Sequence, residues 1–126
     1  MTIIPKNGER GYPQLRITAH GYECGPRWIG WQETDPPDPQ EVEACRAFLQ
    51  LCERTKTGRV GSYWLKHVIE QAVNNYVSNG ACLQACRDLG IPAPQIFRSP
   101  YGPGGPNGRV AVSLRSIRRI AKGLGL

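Results

Sequence analysis

The stretch from Gly61 to Pro92, GSYWLKHVIEQAVNNYVSNGACLQACRDLGIP, constrains the fold most, because it carries two helices together with their start and stop signals. Leu65, Val68, Ile69, Ala72, Val73 and Tyr76 recur at three-and-four spacing, which sets them on one buried face of a helix with Ser62 as its N-cap. Lys66, Glu70, Gln71, Asn74 and Asn75 take the other side, with Lys66 and Glu70 spaced for an i,i+4 ion pair. At Ser78-Asn79-Gly80 the period breaks: Ser78 or Asn79 can cap a new helix, and Gly80 tolerates the dihedrals of a sharp reversal. The second helix, over 81–89, ends at Gly90 in the left-handed position, with Ile91 folding back on the last turn and Pro92 preventing continuation. A helix-turn-helix corner results.

Upstream, residues 1–13 show no period and read as a loosely held arm. Residues 14–19 alternate Leu15, Ile17 and Ala19 with polar neighbours, and residues 27–32 set Trp28 and Gly30 against Ile29 and Trp31. The spacing predicts two strands joined by a loop at 20–26. Asp38 as cap, Pro39 at the first helical position and Glu41 three residues beyond the cap form a strong helix start. Val42, Cys45, Phe48, Leu49 and Cys52 make that helix's apolar stripe. Arg54 and Lys56 suit its C-terminal dipole, Gly58 breaks it, and it is expected to pack on the helix of 63–77.

Downstream of Pro92, residues 95–98 and 109–112 read as strands flanking the tip SPYGPGGPNG, which resembles the wing of a winged helix. The tip lacks a G-x-G-x-x-G or Walker arrangement, and its prolines remove backbone donors, so it does not read as a nucleotide loop. Ser113 caps a last helix that places Leu114, Ile117, Ala121 and Leu124 inward and Arg115, Arg118, Arg119 and Lys122 on the remaining arc. The expected fold is α+β and mainly helical, with three to four helices and one or two small β-hairpins. The chain reads as a single domain over 1–126: the arm at 1–13, a hairpin plus first helix at 14–60, and a winged helix-turn-helix-like half at 61–126.

The strings S-Y-W-L-K-H-V-I-E, Y-V-S-N-G-A-C-L-Q-A-C and G-P-N-G-R-V-A-V-S resemble small uncharacterised accessory proteins of bacterial mobile elements, with Cys82 and Cys86 where alanine-like residues are expected. The resemblance implies a bacterial, cytoplasmic protein and brings no catalytic residues with it.

Charge is divided unevenly along the chain. The formal net charge is +6, yet residues 1–88 hold ten Lys/Arg and ten Asp/Glu, so the excess lies C-terminal. Arg98, Arg109, Arg115, Arg118, Arg119 and Lys122 follow Leu89 with no acidic residue among them, whereas Glu33, Asp35, Asp38, Glu41, Glu43 and Glu53 gather around the first helix. No apolar run is long enough to span a bilayer, and the N-terminus lacks the order of a signal peptide, so no membrane role is expected. Cys24, Cys45, Cys52, Cys82 and Cys86 fit reduced core thiols better than zinc ligands, because the pair at 82 and 86 and the His20–Cys24 spacing lack a second turn-borne knuckle. No metal or other cofactor is expected.

Tyr63, His67 and Glu70 share a helix flank and could supply an acid, a base and its orienter, but helices produce such triplets by chance and no nucleophile motif accompanies them. Trp28, Trp31 and Trp64 read as core residues, a reading that a surface-exposed tryptophan would change.

The chain therefore reads as a non-enzymatic nucleic-acid-binding protein, for DNA before RNA, that contacts phosphates through Arg98, Arg109, Arg115, Arg118, Arg119 and Lys122. The alternative is a protein-interaction module whose basic surface meets an acidic host protein complex and modulates or inhibits it, or meets the acidic segment of a second copy.

Overall fold

The computed structural model describes residues 15–23, 35–96 and 104–126. They form an α+β domain of four helices and two small antiparallel strand pairs: β1 (Ile17–Thr18), β2 (Gly21–Tyr22), α1 (Pro39–Leu49), β3 (Val60–Gly61), α2 (Ser62–Val73), α3 (Asn79–Leu89), β4 (Arg109–Val110) and α4 (Leu114–Gly123).

α3 is the organising element. Ser78 caps it through its hydroxyl, which accepts from the Ala81 N–H, and Asn79, Gly80, Ala81, Cys82, Leu83, Ala85 and Cys86 are all buried. Its end is the expected Schellman turn, with Gly90 left-handed, the Ile91 N–H donating to the Cys86 carbonyl and the Gly90 N–H to that of Arg87. The apolar stripe of α1 is buried as read, through Val42, Cys45, Phe48, Leu49 and the following Cys52. It packs chiefly on α3 and less on α2, the neighbour expected from sequence.

Several boundaries differ from expectation. α1 ends at Leu49, before Arg54 and Lys56, because the chain turns back there and pairs Arg54 with Val112. Glu41 does not close a capping box; its carboxylate accepts from the Ser78 N–H at 2.9 Å and ties the start of α1 to the start of α3. Gly61, not Ser62, caps α2, since the Ser62 hydroxyl accepts from the Gly108 N–H at 3.0 Å. α2 stops at Val73, with Asn74 left-handed, so Tyr76 leaves the helix and is 60% exposed.

The first hairpin is tighter than predicted. Ile17 pairs with Tyr22 and Thr18 with Gly21, so reversal happens at 19–20, where the predicted strand ends, and the second strand falls within the segment read as a long loop. Thr18 enforces it, its hydroxyl accepting from the His20 N–H and donating to the Gly21 carbonyl. The predicted strand at 27–32, with Trp28 and Trp31, lies outside the described residues. The hairpin covers the N-terminal end of α3: the Asn79 side-chain amide donates to the carbonyls of His20 and Pro106, and the Tyr22 hydroxyl to that of Ala93.

The second strand pair sets β3 against β4, with Val60 opposite Val110 and Gly61 opposite Arg109. On the other side of residues 107–111 runs the 92–96 segment: the N–H groups of Ile96, Arg109 and Ala111 donate to Asn107, Pro94 and Pro92, and Gln95 bridges Gly108. The predicted strands at 95–98 and 109–112 are therefore not each other's partners: 109–111 runs beside 92–94, Gln95 and Ile96 lie beside Gly108 and Asn107 from the segment read as the tip, and 109–110 pairs with β3. Arg98 and the first half of the tip, residues 99–103, lie outside the described residues.

Candidate nucleic-acid interface

The strand pairing gathers cations from two parts of the sequence. Backbone bonds from Thr55 to Ala111, Arg59 to Val110 and Ser113 to Glu53 lay residues 53–61 alongside 109–113. This ribbon brings Arg54, Lys56 and Arg59, all exposed, to the stretch that carries Arg109 and leads into α4. Arg54 and Lys56 were missed as site residues from sequence because they were assigned to the end of α1, and Arg59, beyond Gly58, was assigned no role.

α4 continues the ribbon and is held at its first turn. The Ser113 hydroxyl caps it by accepting from the Ser116 N–H, and the buried Ser116 hydroxyl accepts from the Glu53 N–H at 3.0 Å. Ile117 is buried and Ile120 partly so. Leu114 and Leu124, expected to face inward, are 36% and 55% exposed. The reason is that the helix meets the fold through the Glu53 turn, so the inward arc is Ser116, Ile117 and Ile120.

Arg115, Arg118, Arg119 and Lys122 are exposed, as is Arg109. Arg119 forms an ion pair with Glu53, so the basic tail and the acidic region do meet at one point. Among the described residues, Arg109, Arg115, Arg118 and Lys122 have no ion-pair partner. Over 53–61 and 104–126, Glu53 is the one carboxylate side chain in sequence. A surface of this kind presents guanidinium groups that are free to meet phosphate oxygens.

The Tyr63, His67 and Glu70 triplet is also brought together. The Tyr63 and His67 rings meet edge to face at 4.8 Å, and His67 Nδ1 lies 3.2 Å from Glu70 Oε2. Lys66, read as solvent-facing, is instead buried: its ammonium donates to Glu70 Oε1 at 2.7 Å and lies 4.7 Å from the Tyr76 ring centroid. Tyr76, displaced from the helix, sets its ring against the lysine ammonium. Burial opposes ionisation of Glu70, but the hydrogen bond and charge of Lys66, with His67, outweigh it and hold the carboxyl below its usual range. The arrangement gives each Glu70 oxygen one partner, Lys66 or His67, on an open helix flank. The groove of about 140 Å³ between the start of α1 and the α2–α3 junction is lined by Asp38, Glu41, Val73, Tyr76 and Val77 among others, and Tyr63 and His67 are not part of it.

Cys45, Cys52, Cys82 and Cys86 are free thiols buried between α1 and α3. Burial pushes Cys52 up to about 11, burial raises Cys45 further, and the Cys86 hydrogen bond together with burial raises Cys82. Among the described residues no group of His, Cys, Asp or Glu is placed to hold a metal ion; Cys24 lies outside them. Trp64, read as core, is 45% exposed.

No family model, curated protein or solved structure matches the chain. Among the described residues no helix is long and apolar enough to cross a membrane.

Proposed function

We propose that the protein is a non-enzymatic nucleic-acid-binding accessory protein of a bacterial mobile element that works in the cytoplasm and engages DNA phosphates with the ribbon 53–61/109–113 and α4. The observation that carries the reading is the run of exposed cations Arg109, Arg115, Arg118 and Lys122 without carboxylate partners, extended by Arg54, Lys56 and Arg59. The element order, α1, β3, α2 and α3 followed by the 92–96 segment and β4 lying beside β3, supports a winged-helix comparison. α3 is not the reading helix in this proposal, because its N-terminal half is buried under the β1–β2 hairpin. Contact is then mainly with the backbone, and sequence preference is weak.

The test is titration of labelled duplex and single-stranded DNA at low and physiological salt. Phosphate contacts release condensed counterions, so log affinity should fall linearly with log salt, by about 0.9 per phosphate on duplex and about 0.7 on single strands. Absence of binding at low salt overturns the reading.

A second reading, a module that binds and modulates a host protein complex, is favoured by one observation. Leu114, Leu124 and Leu126 are exposed beside the same cations, and an apolar edge next to a basic arc suits a protein surface better than a phosphate backbone. A pull-down from nuclease-treated lysate separates the two, because nuclease removes partners bridged by nucleic acid.

A further inference from the structure

We infer that the first turn of α2 is a stacking platform for unpaired bases, which makes single-stranded DNA the preferred ligand; the inference rests on the nucleic-acid reading above.

Tyr63 and Trp64 are 54% and 45% exposed on consecutive positions. Large aromatic side chains contribute strongly to a small core, so leaving two in solvent side by side forgoes stabilisation that packing would supply. Among the described residues, no hydrogen bond or ring contact engages the Trp64 indole. Tyr63 is held in place from within the fold, its ring edge-to-face with His67 and 5.5 Å from the Lys66 ammonium, which is itself fixed by Glu70. The platform is thus one ring held by its neighbours and one free indole.

Charge around it fits a polyanion. Gly61, two residues before Tyr63, is the cross-strand partner of Arg109, and Arg59 precedes it by two more. Both arginines are exposed, the Arg109 stem lies against Gly58, and a Cβ at Gly61 would have no atom within 4 Å, so the space over Gly61 is open for a backbone to approach. The nearest carboxylate on the helix, Glu70, is ion-paired with Lys66. An aromatic face beside guanidinium groups is the pairing that single-stranded binders use, since a base within a duplex offers its face only to its stacked neighbours.

The experiment compares a labelled thymidine homopolymer with a duplex at low salt for wild type, Trp64→Ala, Trp64→Phe and Arg109→Ala. Stacking on one aromatic is worth roughly 5- to 150-fold in affinity, so Trp64→Ala should weaken single-strand binding by that factor, spare duplex binding and leave the salt slope unchanged. Trp64→Phe keeps an aromatic face and should retain most of the affinity, which guards against a loss caused by misfolding. Arg109→Ala should instead make the salt slope shallower by about 0.7. Undiminished homopolymer affinity in Trp64→Ala, with duplex and single strand bound alike, overturns the platform while leaving the phosphate-binding reading intact. Absence of binding to either form overturns both.

Discussion

The Cβ that residue 80 lacks would fall 1.7 Å from the Thr18 carbonyl oxygen, so glycine is what lets the β1–β2 hairpin lie against α3. Gly80 also donates its N–H to the Ala19 carbonyl at 3.1 Å, and the neighbouring Asn79 amide reaches His20 and Pro106. Gly80→Ala would force backbone against backbone, which no rotamer change can relieve. The variant should lose about 2 kcal/mol or more, at the upper end of overpacking effects, read as a lower urea midpoint.

The basic arc and the core should respond in opposite ways to substitution. Arg115, Arg118 and Arg119 are exposed, and the Arg119–Glu53 pair is open to solvent, so replacing all three by alanine should leave the melting temperature essentially unchanged. DNA affinity at low salt should fall and its salt slope flatten. Leu65 and Ile69 are fully buried, and alanine at either should cost roughly 2 to 5 kcal/mol of stability through lost burial and the cavity left behind. Both outcomes are read from thermal melts run beside the binding titrations.

Much of this was legible in the sequence, and the misses share a cause. Local signals located all four helices, the Asp38 cap and the Schellman end at Gly90, because caps and periodicity act within a few residues of chain. What was not legible was set by distant partners. Ser62 looks like an N-cap but serves Gly108; Glu41 looks like a capping-box residue but serves Ser78. Lys66 looks solvated by position on the helix wheel, yet the Tyr76 ring sits against its ammonium once Asn74 ends the helix. At the candidate interface, Arg109, Arg115, Arg118, Arg119 and Lys122 were named from charge alone, whereas Arg54, Lys56 and Arg59 join them only through pairing across about fifty residues.

Acid should expose the Lys66–Glu70 pair. Glu70 is held below its unfolded value, near 4.3, so it contributes stability above that pH and loses the contribution as pH falls through the lower folded value. Glu70→Gln should remove this acid limb from the pH–stability curve. It should also destabilise the protein at neutral pH, by about 1 to 3 kcal/mol, since the buried ammonium loses its charged acceptor. Urea unfolding followed from pH 7 downward in wild type and variant measures both effects.

The buried thiols predict an alkaline limb. An unfolded cysteine ionises near 8.5, whereas Cys52 is pushed up to about 11 and Cys45 and Cys82 are raised as well. Their contribution to stability is fully present below the unfolded value and is lost as pH rises through the folded ones. Stability should therefore decline above about pH 8.5, while at neutral pH these thiols resist a thiol-reactive dye until denaturant is added. Dye reaction of Cys45, Cys52, Cys82 and Cys86 in the native protein, mapped by mass spectrometry, would contradict their burial.

Residues 107–113 accept or donate backbone bonds on both flanks, to 53–62 on one side and 92–96 on the other. That makes the basic ribbon a late arrival during synthesis on the ribosome. The N–H groups of Thr55, Arg59 and Ser62 have their acceptors at Ala111, Val110 and Gly108, so they stay bonded to water until about fifty more residues have been made. α1, α2 and α3 pack on one another within 39–89 and can collapse first. Closure of the long loop then costs entropy before any strand bond forms, so formation of the surface that carries Arg109 and α4 is governed by the slower, non-local step.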